Sequence, residues 1–449
     1  MENYLTTLSQ WIAKSTIDDI PDSVIEHSKL VLADTIGAIA GGSAELEINK
    51  LSKTLNDDGQ VPIIGTSFKS TMENAAFLNG TAGTFLEMDE GNQYARGHPA
   101  IHVVPAILAW ANAKPDTIDI KLFLKALIIG YEVGARVGMA SKIRLKMHPH
   151  GTWGTIGAAV AIGVLNKASP EQIKNLINIS STLGLGTSRP TMLQGGTVRN
   201  VYSGVSNQMG ILAWQLCQSG FTGEADGLST IYGSVVSTEF NPEKMIEKLG
   251  QRWEIARNYF KIHACCRYNH ASLDCVETLL SQNAQEFDLI DEIEKIEVKS
   301  YFWAAELDDK EPKNVLAGKF SIPFAVASTI YHKNSKTSSF TIDKVKNSKI
   351  INLAKKVEVQ EDLEMTKLLP EKRPASVSVF FKDGQVLSHS TLTNRGDAED
   401  PYNEEDIEQK FYEITERVWE KTKAEKVFKG TLNLSSTSDL KNLMHSLAI

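Results

Sequence analysis

The stretch Asn79 to Ala113, NGTAGTFLEMDEGNQYARGHPAIHVVPAILAWANA, places the tightest limits on how this chain can fold. A small-residue run (Gly80, Thr81, Ala82, Gly83) leads into the acids Glu87, Asp89 and Glu90. A Gly/Asn/Arg-bearing break follows, then His98-Pro99 and a second apolar segment. That order predicts helix, polar loop, helix. Gly and Asn supply the turn, and Pro99 suits a first helical position because its missing N–H is one a helix leaves unpaired. A loop that gathers carboxylates, an arginine (Arg96) and two histidines between buried helices is costly to keep, since buried charges need partners. Chemistry is expected there first.

With 449 residues the chain is long enough for two domains, because single cores rarely grow far beyond about 250 to 300 residues. Its formal charge of −8 argues against a general binder of nucleic acid or of acidic membranes, so an anionic ligand must be held by a few placed cations. The first helix carries acids and polar residues rather than a signal-peptide pattern, and no apolar run approaches the roughly 18 to 20 residues that span a bilayer. A cytoplasmic protein is expected. The four cysteines (Cys217, Cys265, Cys266, Cys275) form no CxxC and no disulfide framework.

Up to about residue 250 the periodicity is helical. Helices are expected over Tyr4 to Ala13, over Val24 to Ala40 with Asp22 or Ser23 as cap, through Ala75 to Phe85, over Ile118 to Met139, over Thr155 to Leu165 and over residues 170 to 186. Gly130, Gly134 and Gly138 lie four apart on one helix; with Lys125, Glu132 and Arg136 on the same helix they predict close helix packing rather than a membrane seam. A Gly/Thr/Pro loop containing Arg189 ends in Arg199 at the start of another small-residue helix, where amides and cations suit a carboxylate and an ordinary turn fits equally well. The character changes near residue 253. Glu292 to Ser300, Ala375 to Phe381 and Val386 to His389 alternate as strands, with Asp383-Gly384 a hairpin turn. Helices are expected between them over Ser272 to Leu280, Phe320 to Tyr331 and Ile342 to Ile351, and again over residues 404 to 421 and 437 to 447. An α+β module inserted into a helical protein accounts for this order.

Six of the ten histidines fall in three short stretches: His98 and His102, His148 and His150, His263 and His270. Each stretch joins a loop to a helix, so one cleft can collect them. A zinc site is weighed and set below this reading, because His98 and His102 have neither an HExxH nor a CxxC partner. No G-x-S-x-G elbow supports a serine hydrolase, and no Gly-rich loop follows a strand as dinucleotide binding requires. General acid/base chemistry without a cofactor remains. Histidine exchanges a proton near neutral pH, a carboxylate orients it, and arginine meets the charge that builds on a substrate carboxylate as a neighbouring C–H is broken.

The motifs LADTIGAIAGG, FLNGTAGTFLEMDEGNQYARGHPAIHVVPAILA, HPHGTWGTIGAAVAIGVL, VRNVYSGVSNQMG, KIHACCRYNHASLD and GKFSIPFAVA occur in this order across most of residues 30 to 330. In this the chain resembles the MmgE/PrpD family, which includes 2-methylcitrate dehydratase, cis-aconitate decarboxylase and iminodisuccinate epimerase. The resemblance implies a mainly α fold: a large helical domain formed by both chain ends (1–262 and 399–449), a smaller inserted α+β lid domain (263–398), a cleft between them, a homodimer and no metal. It places His98 and His148 in the cleft as catalytic residues, Glu87 or Asp89 as acidic partner and Lys261 as a substrate-side cation, with His150 and Arg96 on the substrate side. His102, four residues into its helix, is expected to be structural.

Three departures from the decarboxylase-like pattern stand out: Arg199 in place of a lysine, Cys266 in place of a histidine, and Phe324 in place of a lid tyrosine. They weigh against cis-aconitate decarboxylation. The expected activity is a cofactor-free lyase of dehydratase type that abstracts a proton beside a carboxylate of a small di- or tricarboxylic acid. One of His98 and His148 is the base and the other the acid, and Asp89 orients. A two-base epimerase of a dicarboxylic acid is the alternative, and a binding protein with a degenerate site is the third reading.

Overall fold

The computed structural model describes residues 3–448, and these are mainly α-helical with small sheets. Six helices surround the region of interest: Asp22–Ser43, Met72–Gly83, Pro99–Ala113, Ile120–Ala140, Gly154–Leu165 and Val201–Gln218. Pro21, rather than Asp22 or Ser23, is the residue that caps the first of these, because the helix already begins at Asp22. The glycine face of Ile120–Ala140 packs against Gly154–Leu165. A Cβ on Gly130 would lie 2.9 Å from the Gly157 carbonyl oxygen, so the backbones touch there and any side chain would force them apart.

Pro105 lies inside Pro99–Ala113 and leaves the Ile101 carbonyl without its helical donor. Asn207 repairs the break. Its Nδ2 donates to the Ile101 carbonyl at 2.9 Å and its Oδ1 accepts from the Ala106 N–H at 2.9 Å. This pair of bonds fixes the Val201–Gln218 helix, and with it Arg199, against the helix that begins after His98.

Two hydrophobic cores exist. The first joins both chain ends, from Leu5 and Leu8 to Phe411, Val427 and Leu443, because Glu404–Thr415 and Lys421–Leu432 pack on Asp22–Ser43. The helix Lys421–Leu432 was not expected from its sequence: its exposed face is charged, and only Ala424, Val427, Phe428 and Thr431 are buried. The second core lies against a four-stranded sheet in the order Val357–Glu361, Ile293–Ser300, Ala375–Phe381, Val386–Thr391. The three expected strands are present, and the hairpin turns at Gly384, whose φ of 91° only glycine adopts freely. Val357–Glu361, parallel to Ile293–Ser300, is a fourth strand that the sequence reading missed. Residues 342–354 form two short helices, Ile342–Val345 and Ser348–Ala354, rather than one.

The Asn79–Ala113 stretch runs from one core to the other. Leu86 and Met88 are buried in the second core, although the helices on either side belong to the first. Among the described residues, no helix is long and apolar enough to cross a membrane.

Candidate active site

The loop between Gly83 and Pro99 is held by lysines that reach its backbone. Lys319 donates to the Phe85 carbonyl at 3.1 Å, and Lys410, paired with Asp34, donates to the Met88 carbonyl at 2.6 Å. Further along, Asn92 Oδ1 accepts from the Tyr94 and Ala95 amides, and Gly91 pairs with Tyr259 through two backbone bonds. Glu87 and Arg96 take left-handed φ values of 55° and 57°, which non-glycine residues seldom adopt. Both line the cleft, where such strain tends to collect.

Within this frame His98 is tightly oriented. Its Nδ1 is 2.6 Å from the Glu90 carbonyl oxygen, 3.3 Å from the Asp89 carbonyl oxygen and 3.0 Å from Asp89 Oδ2. All three are acceptors, so the tautomer assigned from these contacts carries its hydrogen on Nδ1 and keeps the lone pair on Nε2. Burial alone would raise the Asp89 carboxyl, but the His98 charge, Lys261 and Arg199 hold it far below the usual carboxylate range. It is an anion placed to stabilise an imidazolium.

His148 has the complementary arrangement. Its Nδ1 accepts the backbone N–H of His150 at 3.1 Å, which leaves the hydrogen on Nε2. Burial first, then Arg199 and His98, pushes His148 well below the ordinary histidine value, so it is neutral near pH 7. His150 is also pushed down by burial and the same charges, and lies between the two, with ring centroids 4.6 Å from His98 and 4.9 Å from His148. His102 is fully buried with neither ring nitrogen hydrogen-bonded, and burial lowers it to about 3. His98, His102 and His148 thus each pack against His150, and all but His102 line the cleft.

The remaining groups differ in how they reach the cleft. Arg199 lines it but is ion-paired with Glu87, both fully buried. Arg189 also lines it, paired with Glu306. Lys261 is not on the wall: it is 0% exposed, with Nζ 3.6 Å from Glu87 and 3.5 Å from Asp89, a counter-charge beside the acids rather than a group facing a ligand. Cys266 is on the wall, and burial first and Glu87 second push its thiol up to about 11, so it is not a thiolate. Although Phe320 lines the cleft, Phe324 does not. It is fully buried in the second core, its ring 6.0 Å from that of Phe340, because it follows the cap Ser321 on the inward face of Ile322–His332. Tyr259 and Tyr268 supply phenol groups to the cleft.

The cleft is narrow, with a cavity volume of about 50 Å³, and is lined by His98, His148, His150, Glu87 and five arginines: Arg96, Arg189, Arg199, Arg267 and Arg373. Sequence reasoning missed Tyr259, Arg267, Tyr268 and Arg373. Arg267 and Tyr268 lie inside KIHACCRYNH and were within reach of it; Arg373 sits in a loop before a strand with no motif around it. Asp89, His98 and His150 each offer one ligand atom within 4.8 Å of the others, a spacing that a metal accepts. The Asp89 carboxylate, however, is already shared between His98 and Lys261.

A mainly helical part and a sheet-bearing part of the chain thus bring these histidines and arginines to one cleft. Residues 6–243 match the MmgE/PrpD N-terminal domain and residues 263–434 the MmgE/PrpD C-terminal domain; the chain belongs to the MmgE/PrpD family. Among curated proteins it is similar to a cis-aconitate decarboxylase-like protein, oryM, of Aspergillus oryzae, 22% identical over 98% of this chain and 96% of that one. It is likewise similar to cis-aconitate decarboxylase of Aspergillus terreus (22%, over 98% of this chain and 95% of that one) and of Homo sapiens (21%, over 94% and 90%).

Proposed function

We propose that the protein is a cofactor-free lyase of dehydratase type, acting by proton abstraction beside a carboxylate of a small di- or tricarboxylic acid. Family membership and the lyase relatives support the class of reaction. The observation that carries the mechanism is the environment of His98: three acceptors around Nδ1 leave Nε2 as the basic atom, and an anionic Asp89 waits for the imidazolium. His148, neutral with its hydrogen on Nε2, donates to the leaving hydroxyl or to the carboxylate on which charge develops. Arg199 adds positive charge on the same side, tempered by Glu87.

A two-base isomerase is the second reading, favoured by two imidazoles lining the same cleft, one for each face of the reacting carbon. In it His148 takes up or returns the second proton. The same proposal assigns 263–398 as a lid over a helical domain of 1–262 and 399–449, in a cytoplasmic homodimer.

The test is incubation with citrate, 2-methylcitrate, cis-aconitate and aspartate-derived diacids in deuterated water, followed by NMR. A new vinyl signal from a hydroxy acid supports the dehydratase. Deuterium at an inverted carbon supports the isomerase, and loss of CO2 from cis-aconitate assigns the relatives' reaction instead. No change with any acid that binds refutes catalysis.

A further inference from the structure

Three of the five cleft arginines already have a carboxylate: Arg189 has Glu306, Arg199 has Glu87 and Arg267 has Asp397. Arg96 and Arg373 have none among the described residues. Arg96 donates only to the Ser141 and Gly138 carbonyls, and Arg373 only to the Gln93 carbonyl at 3.1 Å. Arg373 is 2% exposed and its Nε has no hydrogen-bond partner. A guanidinium so deeply buried with no carboxylate in contact, and only the Asp397 charge, already paired with Arg267, acting from further off, leaves room for an anion to join it.

The placement of the two is equally specific. The rings of Tyr268 and Trp303 stack at 6.2 Å; Arg96 lies over the Trp303 ring at 5.9 Å, and Arg373 over the Tyr268 ring at 5.5 Å. Each ring of this aromatic pair thus carries one of two cations that line the same cleft. Arg96 comes from the loop before His98. Arg373 comes from the loop before Ala375–Phe381 and is tied to the first loop through Gln93, whose side chain also donates to the Glu371 carbonyl. Burial pulls Arg96 below its ordinary value and the Arg373 charge adds to that pull, whereas Arg373, despite its burial, is pushed up by the surrounding tyrosines and Asp397.

We propose that Arg373, supplied by the sheet-bearing unit, anchors one substrate carboxylate, and that Arg96, over the Trp303 ring of the same cleft, anchors a second. Two carboxylates on one ligand then link the loop that orients His98 to the loop that carries Arg373. The proposal rests on the carboxylic-acid reading above and adds the residues that select for a second acid group.

Calorimetric binding of succinate and of monomethyl succinate tests it without turnover. The wild type binds the diacid more tightly than the monoester. Arg373→Gln weakens succinate by roughly 10- to 100-fold and the monoester far less, so that the preference collapses. Arg96→Gln does the same from the other side, and Arg373→Lys, which keeps the charge and loses the fork, falls between. Equal weakening of both ligands marks a merely structural arginine and overturns the proposal, as does a wild type that does not prefer the diacid. Diacid preference without turnover of any acid leaves the anchors standing while the lyase reading fails; turnover with unchanged succinate affinity in Arg373→Gln does the reverse.

Discussion

Replacing Asp89 by Asn tests the electrostatics of the base while keeping its geometry. The amide is isosteric, and the Glu90 carbonyl still accepts from His98 Nδ1 at 2.6 Å, so the tautomer with a free Nε2 persists. What disappears is the anion 3.0 Å from Nδ1, worth about 5 kcal/mol to an imidazolium at an effective dielectric of ~20. Lys261, 3.5 Å from Asp89, makes the change worse, because its charge then faces an imidazolium with one acid fewer between them. The imidazolium exists only after proton transfer, so the loss falls on kcat and leaves KM nearly unchanged. The expected fall is roughly 10³- to 10⁴-fold. The assay is initial-rate turnover of the best acid, with a thermal melt to establish that the variant folds. A folded Asp89→Asn enzyme within about tenfold of wild type would refute the electrostatic role, since removal of a general-base partner should exceed that margin.

Glu90 is raised by burial from 4.5 to about 8, so it is a neutral acid at pH 7 beside Tyr131 and the Ala100 amide. Below pH 4.5 folded and unfolded chains are both protonated there; between 4.5 and about 8 only the unfolded chain gains by ionising, and the wild type loses stability across that window. Glu90→Gln, which mimics the neutral acid, should match wild type below pH 4.5 and exceed it by a few kcal/mol at pH 8 in urea melts; Glu132, raised to about 7, contributes equally to both proteins. A constant difference across this range would contradict the buried neutral acid. Arg199→Met leaves Glu87 buried with only Lys261 at 3.6 Å, and should lower unfolding stability by about 3 kcal/mol in denaturant titrations. A change below about 1 kcal/mol would mean that the pair is not desolvated.

Much of the helical part was legible because burial there imposes a period. Ile120–Ala140 and Gly154–Leu165 are apolar over most of their length, and the glycines four apart were read correctly as a packing face. Lys421–Leu432 was not legible, since a helix that buries one narrow stripe reads as polar. Val357–Glu361 escaped because five residues with only Val357 fully buried offer almost no alternation to detect.

At the site, the loop chemistry around His98 was readable from local sequence, and His148 and His150 followed from their own motif. Long-range pairing was not readable. Nothing near Lys261 says that it will sit beside Glu87 and Asp89 instead of facing the cleft, and nothing near Phe324 says which side of its helix points inward. Arg373 is the clearest case: it matters because the fold brings it to Gln93, 280 positions away along the chain, a fact that no local pattern carries.

The central claim is that His98 Nε2 removes a carbon-bound proton from a carboxylic acid. Exchange of that proton in deuterated water, followed by NMR for wild type and His98→Gln on the same acid, measures it directly. The account predicts ready exchange by the wild type and a fall of roughly 10²- to 10⁴-fold in the folded variant, whose amide cannot accept the proton. Exchange by His98→Gln at the wild-type rate would contradict the account and move the base elsewhere in the cleft.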